Sequence, residues 1–347
     1  MKQKFINKKP FFIAEISANH NGLLSNAKKL IFEAKRYGAD AVKFQTYLPE
    51  TMTINCTKKD FKINTGIWKG KTLWELYKKS YTPFKWHKSL FEYAKKVGIT
   101  SFSTPFDETA VELLEKLNCP FYKVASFEMN DIPLIKRIAQ TRKPIIISTG
   151  LANLDEIDLA FYTAKKNGSK KIVLLYCVSN YPSRIEDFNL NNINILKNRY
   201  KCMVGFSDHS NNPEIAMAAI ASGAEVIEKH IALSNQKKGF DIKFSIKGKQ
   251  ILNFRKLIDQ TYDLLGKKIF FRNKSEKTNL QFRRSIYIIN DIRKGEKFSF
   301  KNIKRIRPGY GGNPKYFNKL IGKKSPINLQ FGKPLKNRMI LKLLNNL

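Results

Sequence analysis

A unit made of one short apolar run and one helical stretch recurs eight times in the first three quarters of the chain. Each apolar run is rich in β-branched or aromatic residues and ends on polar or small ones. Strands that are apolar on both faces and alternate with helices are typical of a parallel sheet. Eight such units predict an α/β fold, a (β/α)8 TIM barrel, with an open doubly wound sheet as the alternative. The predicted strands are residues 11–17, 41–46, 100–106, 121–126, 144–150, 171–177, 203–209 and 225–230.

The helical stretch after the first strand has the features expected of a barrel helix. Ser25 is predicted to be its N-cap, and Gly38 is predicted to end it. Apolar residues recur at helical spacing and would form the face that packs on the sheet. These residues are Ala27, Leu30, Ile31 and Ala34.

Composition and spacing change near residue 268 and predict a second domain. The barrel would occupy residues 1–267, with a last amphipathic helix over 249–267. Residues 268–282 contain the polar stretch NKSEKT and would form a linker. Residues 283–347 combine short strand-like pieces with glycine turns, which predicts a small β-rich domain.

The formal net charge of +36 on 347 residues limits the partners of this chain. Such an excess favours nucleic acid, an anionic membrane surface or an anionic substrate. The lysines are spread over every predicted helix and do not cluster with aromatic residues on one face, as they would in a nucleic-acid-binding protein. We therefore expect a small anionic substrate and neither a nucleic-acid nor a membrane partner.

The apolar runs and the cysteines predict a cytoplasmic protein. Glu15 interrupts the first apolar stretch, which leaves it too short for a signal peptide. No run approaches the roughly 18 apolar residues of a membrane span. The four cysteines are scattered, without a CxxC pair, so neither a disulfide framework nor a thiolate metal site is indicated.

Polar residues stand at the ends of all eight predicted strands. The active site of a TIM barrel lies at the carboxyl ends of its strands, so this convergence predicts an enzyme. The polar residues are Glu15, Ser17, Asn19 and His20; Lys43 and Gln45; Ser103, Thr104 and Asp107; Lys123, Ser126 and Glu128; Ser148 and Thr149; Ser179 and Tyr181; Ser207, Asp208 and His209; and Glu228 and His230.

Two of the four histidines, His209 and His230, close the neighbouring seventh and eighth strands. Adjacent strands lie about 4.8 Å apart, so both imidazoles could bind one divalent ion. Water and substrate oxygens would complete its coordination. His20 fits either a ligand or a structural role, and His87 is predicted to be structural.

Lys43 and Lys123 each interrupt an otherwise apolar strand, which predicts a place in the site. One of them could form a Schiff base with a carbonyl substrate, as in a class I aldolase. Alternatively, both ammonium groups hold a phosphate or carboxylate with the help of hydroxyl groups. Four serines at the strand ends favour this second interpretation, namely Ser126, Ser148, Ser179 and Ser207.

Two carboxylates are candidates for proton transfer or for holding sugar hydroxyl groups. Glu15 interrupts an apolar strand, which is costly unless the charge is used. Asp241 lies in a Gly-Phe-Asp loop after the eighth strand.

The strand-end motifs, in this order and spacing, resemble the sialic acid synthase family. That family condenses phosphoenolpyruvate with an N-acylated amino sugar to make nonulosonic acids. Residues 283–343 look like its C-terminal antifreeze-like (SAF) domain. The motifs are AEISANHNG (14–22), AVKFQT (41–46), STPFDETAV (103–111), KVASFE (123–128), ISTG (147–150), CVSNYP (177–182), GFSDHS (205–210) and EKH (228–230).

Residues 68–96 are similar to the branch of this family whose sugar is 2,4-diacetamido-2,4,6-trideoxy-L-altrose. One departure lies near the predicted site. Phe240 stands where relatives usually place a proline before the aspartate that corresponds to Asp241.

The resemblance implies a role for each matching residue. His209 and His230 would bind the divalent cation, Mn²⁺ or Mg²⁺. Arg307 would reach the N-acyl group of the sugar from the other subunit of a domain-swapped homodimer. The predicted catalytic residues are Glu15, Lys43, Lys123 and Asp241. The predicted substrate-binding residues are Gln45, Thr104, Phe106, Ser126, Glu128, Ser148, Ser179, Tyr181, Ser207 and Arg307.

Overall fold

The chain forms two compact units, residues 1–266 and 267–347, each with its own apolar core. The computed structural model describes residues 9–266 and 269–345. The domain ends predicted at residues 1, 267, 268 and 347 lie outside the described residues.

Eight parallel strands build the first unit, and they neighbour one another in chain order. The first strand also pairs with the eighth, which closes the sheet into a barrel. Closure confirms the predicted TIM barrel, and each strand end lies within two residues of its predicted position. The strands are β1 (Phe11–Glu15), β2 (Ala41–Thr46), β3 (Thr100–Pro105), β4 (Tyr122–Val124), β5 (Ile145–Ser148), β6 (Ile172–Cys177), β7 (Met203–Asp208) and β8 (Val226–Ala232).

Helices connect the strands and pack their apolar faces on the barrel. They are α1 (Leu24–Arg36), α2 (Pro49–Met52), α3 (Leu73–Ser80), α4 (Phe84–Val97), α5 (Glu108–Lys116), α6 (Ile132–Gln140), α7 (Leu154–Lys166), α8 (Asn191–Tyr200), α9 (Pro213–Ala221) and α10 (Lys249–Leu265). A short strand, β9 (Ile246–Lys247), pairs with β8. None of the helices in residues 9–266 and 269–345 is long and apolar enough to cross a membrane.

Helix α1 buries the four apolar residues that its spacing predicts. Its N-cap is Leu23, however, and no side chain caps the helix, so the prediction of Ser25 as N-cap is wrong. The carbonyl of Leu23 already accepts a hydrogen bond from the Ala27 amide at 3.2 Å, which starts the helix before Ser25. Asn21 and Gly22, both with positive φ, form the turn that places Leu23 at the start of the helix.

The long β2–β3 connection contains a short hairpin and three helices. Lys62 and Thr72 form an antiparallel bridge at the base of the hairpin. The Thr72 hydroxyl then accepts a hydrogen bond from the Glu75 amide at 3.1 Å, and the Glu75 carboxylate accepts one from the Thr72 amide at 2.9 Å. This capping box fixes the start of α3 directly after the hairpin.

The second unit contains a two-stranded antiparallel sheet, β10 (Ser285–Ile288) and β11 (Ile303–Ile306). Two helices follow it, α11 (Phe317–Leu320) and α12 (Asn337–Asn345). Its core is small and apolar, with Ile286 and Phe298 buried at its centre. Residues 274–282, within the predicted linker, form a 3-10 helix. Assignment of this unit to the antifreeze-like class stays a prediction.

Candidate active site

The register of three neighbouring strands brings charged side chains together at the carboxyl end of the barrel. Glu15 is paired with Lys43 on one side and with His230 on the other. Side chains two residues apart on a strand share a face, so Glu228 and His230 both project toward the barrel interior. The alternation of β8 therefore adds Glu228 to the cluster.

Lys43, Lys123, Glu15 and Glu228 form a buried ion-pair cluster, each at most 4% exposed. The Lys43 ammonium lies 2.6 Å from Glu15 Oε2 and 3.3 Å from Glu228 Oε2. The Lys123 ammonium donates to both Glu228 oxygens, at 3.1 and 3.3 Å. Glu228 is therefore the carboxylate that both lysines share.

Burial and the neighbouring charges set the protonation of these groups. Burial raises the pKa of Glu15 to about 7, although Lys43 opposes this shift. Burial alone would also raise the pKa of Glu228, but Lys123 and Lys43 hold that pKa well below its usual range. Burial opposes the charged form of Lys43, yet Glu15 and Glu228 outweigh it and raise the Lys43 pKa. Burial lowers the pKa of Lys123, and the neighbouring Lys43 acts in the same direction, while Glu228 opposes the shift.

Hydroxyl groups surround the two lysines. The Ser207 hydroxyl donates to Glu228 Oε1 at 2.9 Å, and Lys43 donates to Thr104 Oγ1 at 3.4 Å. The buried Ser148 hydroxyl has no hydrogen-bond partner among the described residues. Ser126 Oγ lies 3.1 Å from the sulfur of Cys177.

A glycine keeps space open next to these hydroxyls. A methyl group at Gly150 would lie 2.8 Å from Ser126 Oγ and 2.9 Å from the Cys177 sulfur, and it would collide with the Ser179 hydroxyl. We call the lysines and the hydroxyl groups around them the cradle. A side chain at position 150 would occupy part of its space.

His209 and His230 face each other, with ring centroids 5.6 Å apart. Burial lowers the pKa of His209 to about 4 and that of His230 well below its usual value. Nδ1 of His209 lies 3.1 Å from the carbonyl oxygen of Val178, a contact that selects the tautomer with the proton on Nδ1. Nε2 is then the acceptor, and the Ser207 hydroxyl lies 3.5 Å from it. Both rings are therefore neutral at pH 7, as metal ligands must be.

The histidine pair fits a divalent cation. The buried Nδ1 of His230 has no hydrogen-bond partner among the described residues, and Asp241 Oδ2 lies 3.7 Å from it. Residues 9–266 and 269–345 contain no group of three or more His, Cys, Asp or Glu side chains arranged for a metal. Two imidazoles alone would leave several coordination positions for water and substrate.

Tyr181 and Phe244 cover the histidines. The Tyr181 ring lies 4.5 Å from that of His209, and the Phe244 ring lies 4.9 Å from that of His230. Asp241, which begins the turn to Phe244, is 6% exposed. Burial raises its pKa, while hydrogen bonds from Ser17 and Ala18 act in the opposite direction.

The remaining predicted residues lie outside the ion-pair cluster and differ in burial and in contacts. Gln45 is half-buried and pairs in register with Thr104. Phe106 packs on Tyr47, with ring centroids 5.2 Å apart. Glu128 is half-buried, and burial raises its pKa to about 7. Arg307 is exposed and belongs to the second unit.

His20 takes no part in the cluster. Its Nε2 lies 3.2 Å from the Thr82 hydroxyl, and its Nδ1 accepts a hydrogen bond from the Gly22 amide at 3.0 Å. Both ring nitrogens are therefore engaged in holding the loop after β1. Of the two roles that the sequence left open, the structure supports the structural one.

Sequence reasoning placed Glu228 at the end of the eighth strand but gave it no role, although it is the central residue of the cluster. It follows two apolar residues in β8 but is itself followed by Lys229 and His230, so it does not interrupt an apolar run as clearly as Glu15 and Lys43 do. Trp68 was also given no role, although its ring lies 6.0 Å from that of Tyr181. It begins the stretch 68–96 that resembles one branch of the family, but it received no role because it lies in the β2–β3 connection, far from any strand end.

Two lysines, two carboxylates and a histidine pair at the catalytic end of a closed barrel define a TIM-barrel enzyme for an anionic substrate. The NeuB family model matches residues 30–270. A pseudaminic acid synthase of Campylobacter jejuni is 42% identical over 95% of this chain and 96% of its own length. The chain belongs to the NeuB family, which confirms the predicted sialic acid synthase relationship.

Two further relatives agree with this assignment. The N,N'-diacetyllegionaminic acid synthase of Campylobacter jejuni is 38% identical, over 91% of this chain and 96% of its own length. The solved N-acetylneuraminic acid (sialic acid) synthetase of Leptospira borgpetersenii is 32% identical. It superposes with a TM-score of 0.71 and covers 79% of this chain and 91% of its own.

Proposed function

We propose that the chain is a pseudaminic acid synthase. It joins phosphoenolpyruvate, 2,4-diacetamido-2,4,6-trideoxy-β-L-altropyranose and water, and releases pseudaminic acid and phosphate. The carrying observation is the buried cluster in which Lys43 and Lys123 share Glu228. The choice of sugar is supported by 42% identity to a pseudaminic acid synthase, against 38% to a legionaminic acid synthase. An N-acetylneuraminate or legionaminate synthase is the alternative.

Lys43 and Lys123 would hold the phosphate and carboxylate of phosphoenolpyruvate. Charge-assisted hydrogen bonds from ammonium groups to such oxygens are strong, and burial protects them from water. The serine hydroxyls around the cradle would complete the binding, namely those of Ser126, Ser148, Ser179 and Ser207.

The same cluster argues against a Schiff-base aldolase. A Schiff base requires a neutral amine, whereas two carboxylates keep Lys43 an ammonium ion. Burial lowers the pKa of Lys123, but Glu228 opposes this shift and accepts a hydrogen bond from its ammonium at 3.1 Å. Membership of the NeuB family likewise disfavours a nucleic-acid-binding protein.

His209 and His230 would hold a divalent cation, either Mn²⁺ or Mg²⁺. When bound, such an ion supplies Lewis-acid polarisation of the open-chain sugar's aldehyde. Gln45, Tyr181 and Asp241 would orient the sugar, and Tyr181 and Phe244 would exclude bulk water from the histidines.

The chemistry forms a carbon–carbon bond and breaks a carbon–oxygen bond. C3 of phosphoenolpyruvate attacks the aldehyde carbon, and water adds to the cation left at C2. The C2 phosphate ester then loses phosphate, whose negative charge Lys43 and Lys123 stabilise. Glu15 and Asp241, both buried with raised pKa values, are suited to proton transfer to the aldehyde oxygen and from the water.

We also propose that the enzyme acts in the cytoplasm as a domain-swapped homodimer. Phosphoenolpyruvate is a cytoplasmic metabolite, and the exposed Arg307 of the second unit is free to meet a site on another subunit. Thr104, Phe106 and Glu128 complete the proposed substrate-binding residues.

Phosphate release tests this function. Purified protein would be incubated with phosphoenolpyruvate, Mn²⁺ and, separately, the amino-sugar precursors of pseudaminic, legionaminic and N-acetylneuraminic acids. We expect stoichiometric phosphate and a nonulosonic acid with the altrose-configured sugar, and little of either with the other two. A preference for another sugar would move the protein to another branch of the family, and activity with none would refute the synthase.

A further inference from the structure

Trp68 carries a buried hydrogen-bond donor that no described residue satisfies. Its indole Nε1 is buried and has no partner among residues 9–266 and 269–345. A buried N–H that stays unpaired is costly, so native structures rarely keep one without a purpose. An acceptor that arrives with a ligand would remove this cost.

The hairpin over 62–72 holds Trp68 in place. The Ile63 amide donates to the Lys71 carbonyl and the Gly70 amide donates to the Ile63 carbonyl, both at 2.9 Å. Gly66 and Gly70 have φ values of +75° and +90°, which allow the turn that carries Trp68. The indole therefore sits on a hydrogen-bonded hairpin and not on a free loop.

A second contact ties this hairpin to the loop after β8. The Lys71 ammonium lies 5.0 Å from the centroid of the Phe240 ring, a cation–π contact. Phe240 directly precedes Asp241, so this contact joins the hairpin that carries Trp68 to the loop of the proposed sugar site. A proline at position 240 would lack the aromatic ring that makes this cation–π contact.

Trp68 also lines a pocket of about 550 Å³ between the hairpin and the loop after β8, together with Lys71 and Phe240. Its ring lies 6.0 Å from Tyr181, whose ring in turn lies 4.5 Å from His209. The charged groups that line the pocket are lysines, including Lys71 and Lys243. Lysine ammonium groups thus line this space, and they favour a ligand group that accepts hydrogen bonds.

We propose that Trp68 donates its indole N–H to the carbonyl oxygen of a sugar N-acyl group and thereby selects a diacylated amino sugar. This inference rests on the proposed function. The sugar of that reaction carries two acetamido groups, and Arg307 is predicted to reach one of them. A hydroxyl oxygen also accepts hydrogen bonds, but it is bonded directly to the ring carbon, whereas the amide carbonyl oxygen extends further from the ring and brings the acceptor to Trp68.

The test compares two sugars in one enzyme. One is the 2,4-diacetamido sugar, and the other is identical except for a hydroxyl in place of the 4-acetamido group. Trp68→Phe keeps an aromatic ring but removes the N–H. We expect wild-type kcat/KM to favour the diacetamido sugar strongly, and the variant to reduce this preference by about tenfold or more. The KM for phosphoenolpyruvate should stay unchanged.

The ratio of the two kcat/KM values does not depend on the fraction of folded enzyme, so partial misfolding of the variant does not obscure it. Trp74→Phe, a change on helix α3 that follows the hairpin, is the matched control and should leave the ratio unaltered. An unchanged ratio in Trp68→Phe would overturn the inference while the synthase assignment stands. Failure of the wild-type enzyme to convert the diacetamido sugar would overturn the proposed function itself.

Discussion

Replacing Glu228 by glutamine tests whether the shared carboxylate holds the active-site cluster together. Glutamine keeps the shape of the side chain but removes the charge that lies 3.1 Å from Lys123 and 3.3 Å from Lys43. Lys43 would retain Glu15, whereas Lys123 would have no other carboxylate partner among the described residues. The variant therefore buries an ammonium ion without a counter-charge.

The expected loss of stability is large because the group is buried. Breaking one side of a buried ion pair costs roughly 3–5 kcal/mol. For a domain of this size each kcal/mol lowers Tm by about 2–4 °C, so Tm should fall by about 6–20 °C. Phosphoenolpyruvate binding should weaken as well, since the lysines lose the carboxylate that orients them.

A matched surface pair separates burial from charge alone. Glu225 forms an ion pair with Lys197 at 2.6 Å, but their side chains are 44% and 40% exposed. Glu225→Gln should therefore cost less than about 1 kcal/mol. Urea unfolding of both variants gives the free energies of unfolding. The double variant Glu228→Gln, Lys123→Gln should recover part of the loss, because it removes the unpaired cation. A Glu228→Gln cost no larger than that of Glu225→Gln would refute the reasoning.

Three further changes test other parts of the site. His230→Ala should lower Mn²⁺ affinity in titration calorimetry by about tenfold or more and abolish most turnover while the circular dichroism stays native; unchanged turnover and affinity would remove the metal proposal. Burial raises the pKa of Glu128 from 4.5 to about 7, so its neutral form stabilises the fold fully below pH 4.5 and this contribution is lost as the pH rises through 7. Glu128→Gln should accordingly show a shallower fall of Tm between pH 4.5 and 7 than the wild type, and parallel curves would contradict the assignment. Arg307→Ala should raise the KM for the sugar far more than that for phosphoenolpyruvate, and equal increases would exclude its role.

The barrel could be predicted from sequence because its signal is local. Each strand is a short apolar run between helices, and eight repeats leave few alternative topologies. The start of α1 could not be located from Ser25, because the preceding turn and the Leu23 carbonyl determine where the helix begins. The N-cap preference of a serine is weaker than the hydrogen bonding and turn geometry of the residues that precede the helix.

The site was predictable wherever a polar residue interrupts a strand or matches a family motif. Lys43, Glu15 and the two histidines came from that signal. The sharing of Glu228 by two lysines depends on strand register and on contact across the barrel, neither of which sequence spacing specifies. Trp68 reaches Tyr181 from a hairpin distant in sequence, so only the fold shows that the two are neighbours.

Phosphoenolpyruvate labelled with ¹⁸O at the oxygen that bridges C2 and phosphorus tests the central claim most directly. The labelled compound would be incubated with the protein, Mn²⁺ and the 2,4-diacetamido altrose-configured sugar. Mass spectrometry would then measure the ¹⁸O content of both products. A synthase that cleaves the carbon–oxygen bond releases phosphate carrying the label and unlabelled pseudaminic acid. Label retained in the organic product, or no pseudaminic acid at all, would contradict the proposed reaction.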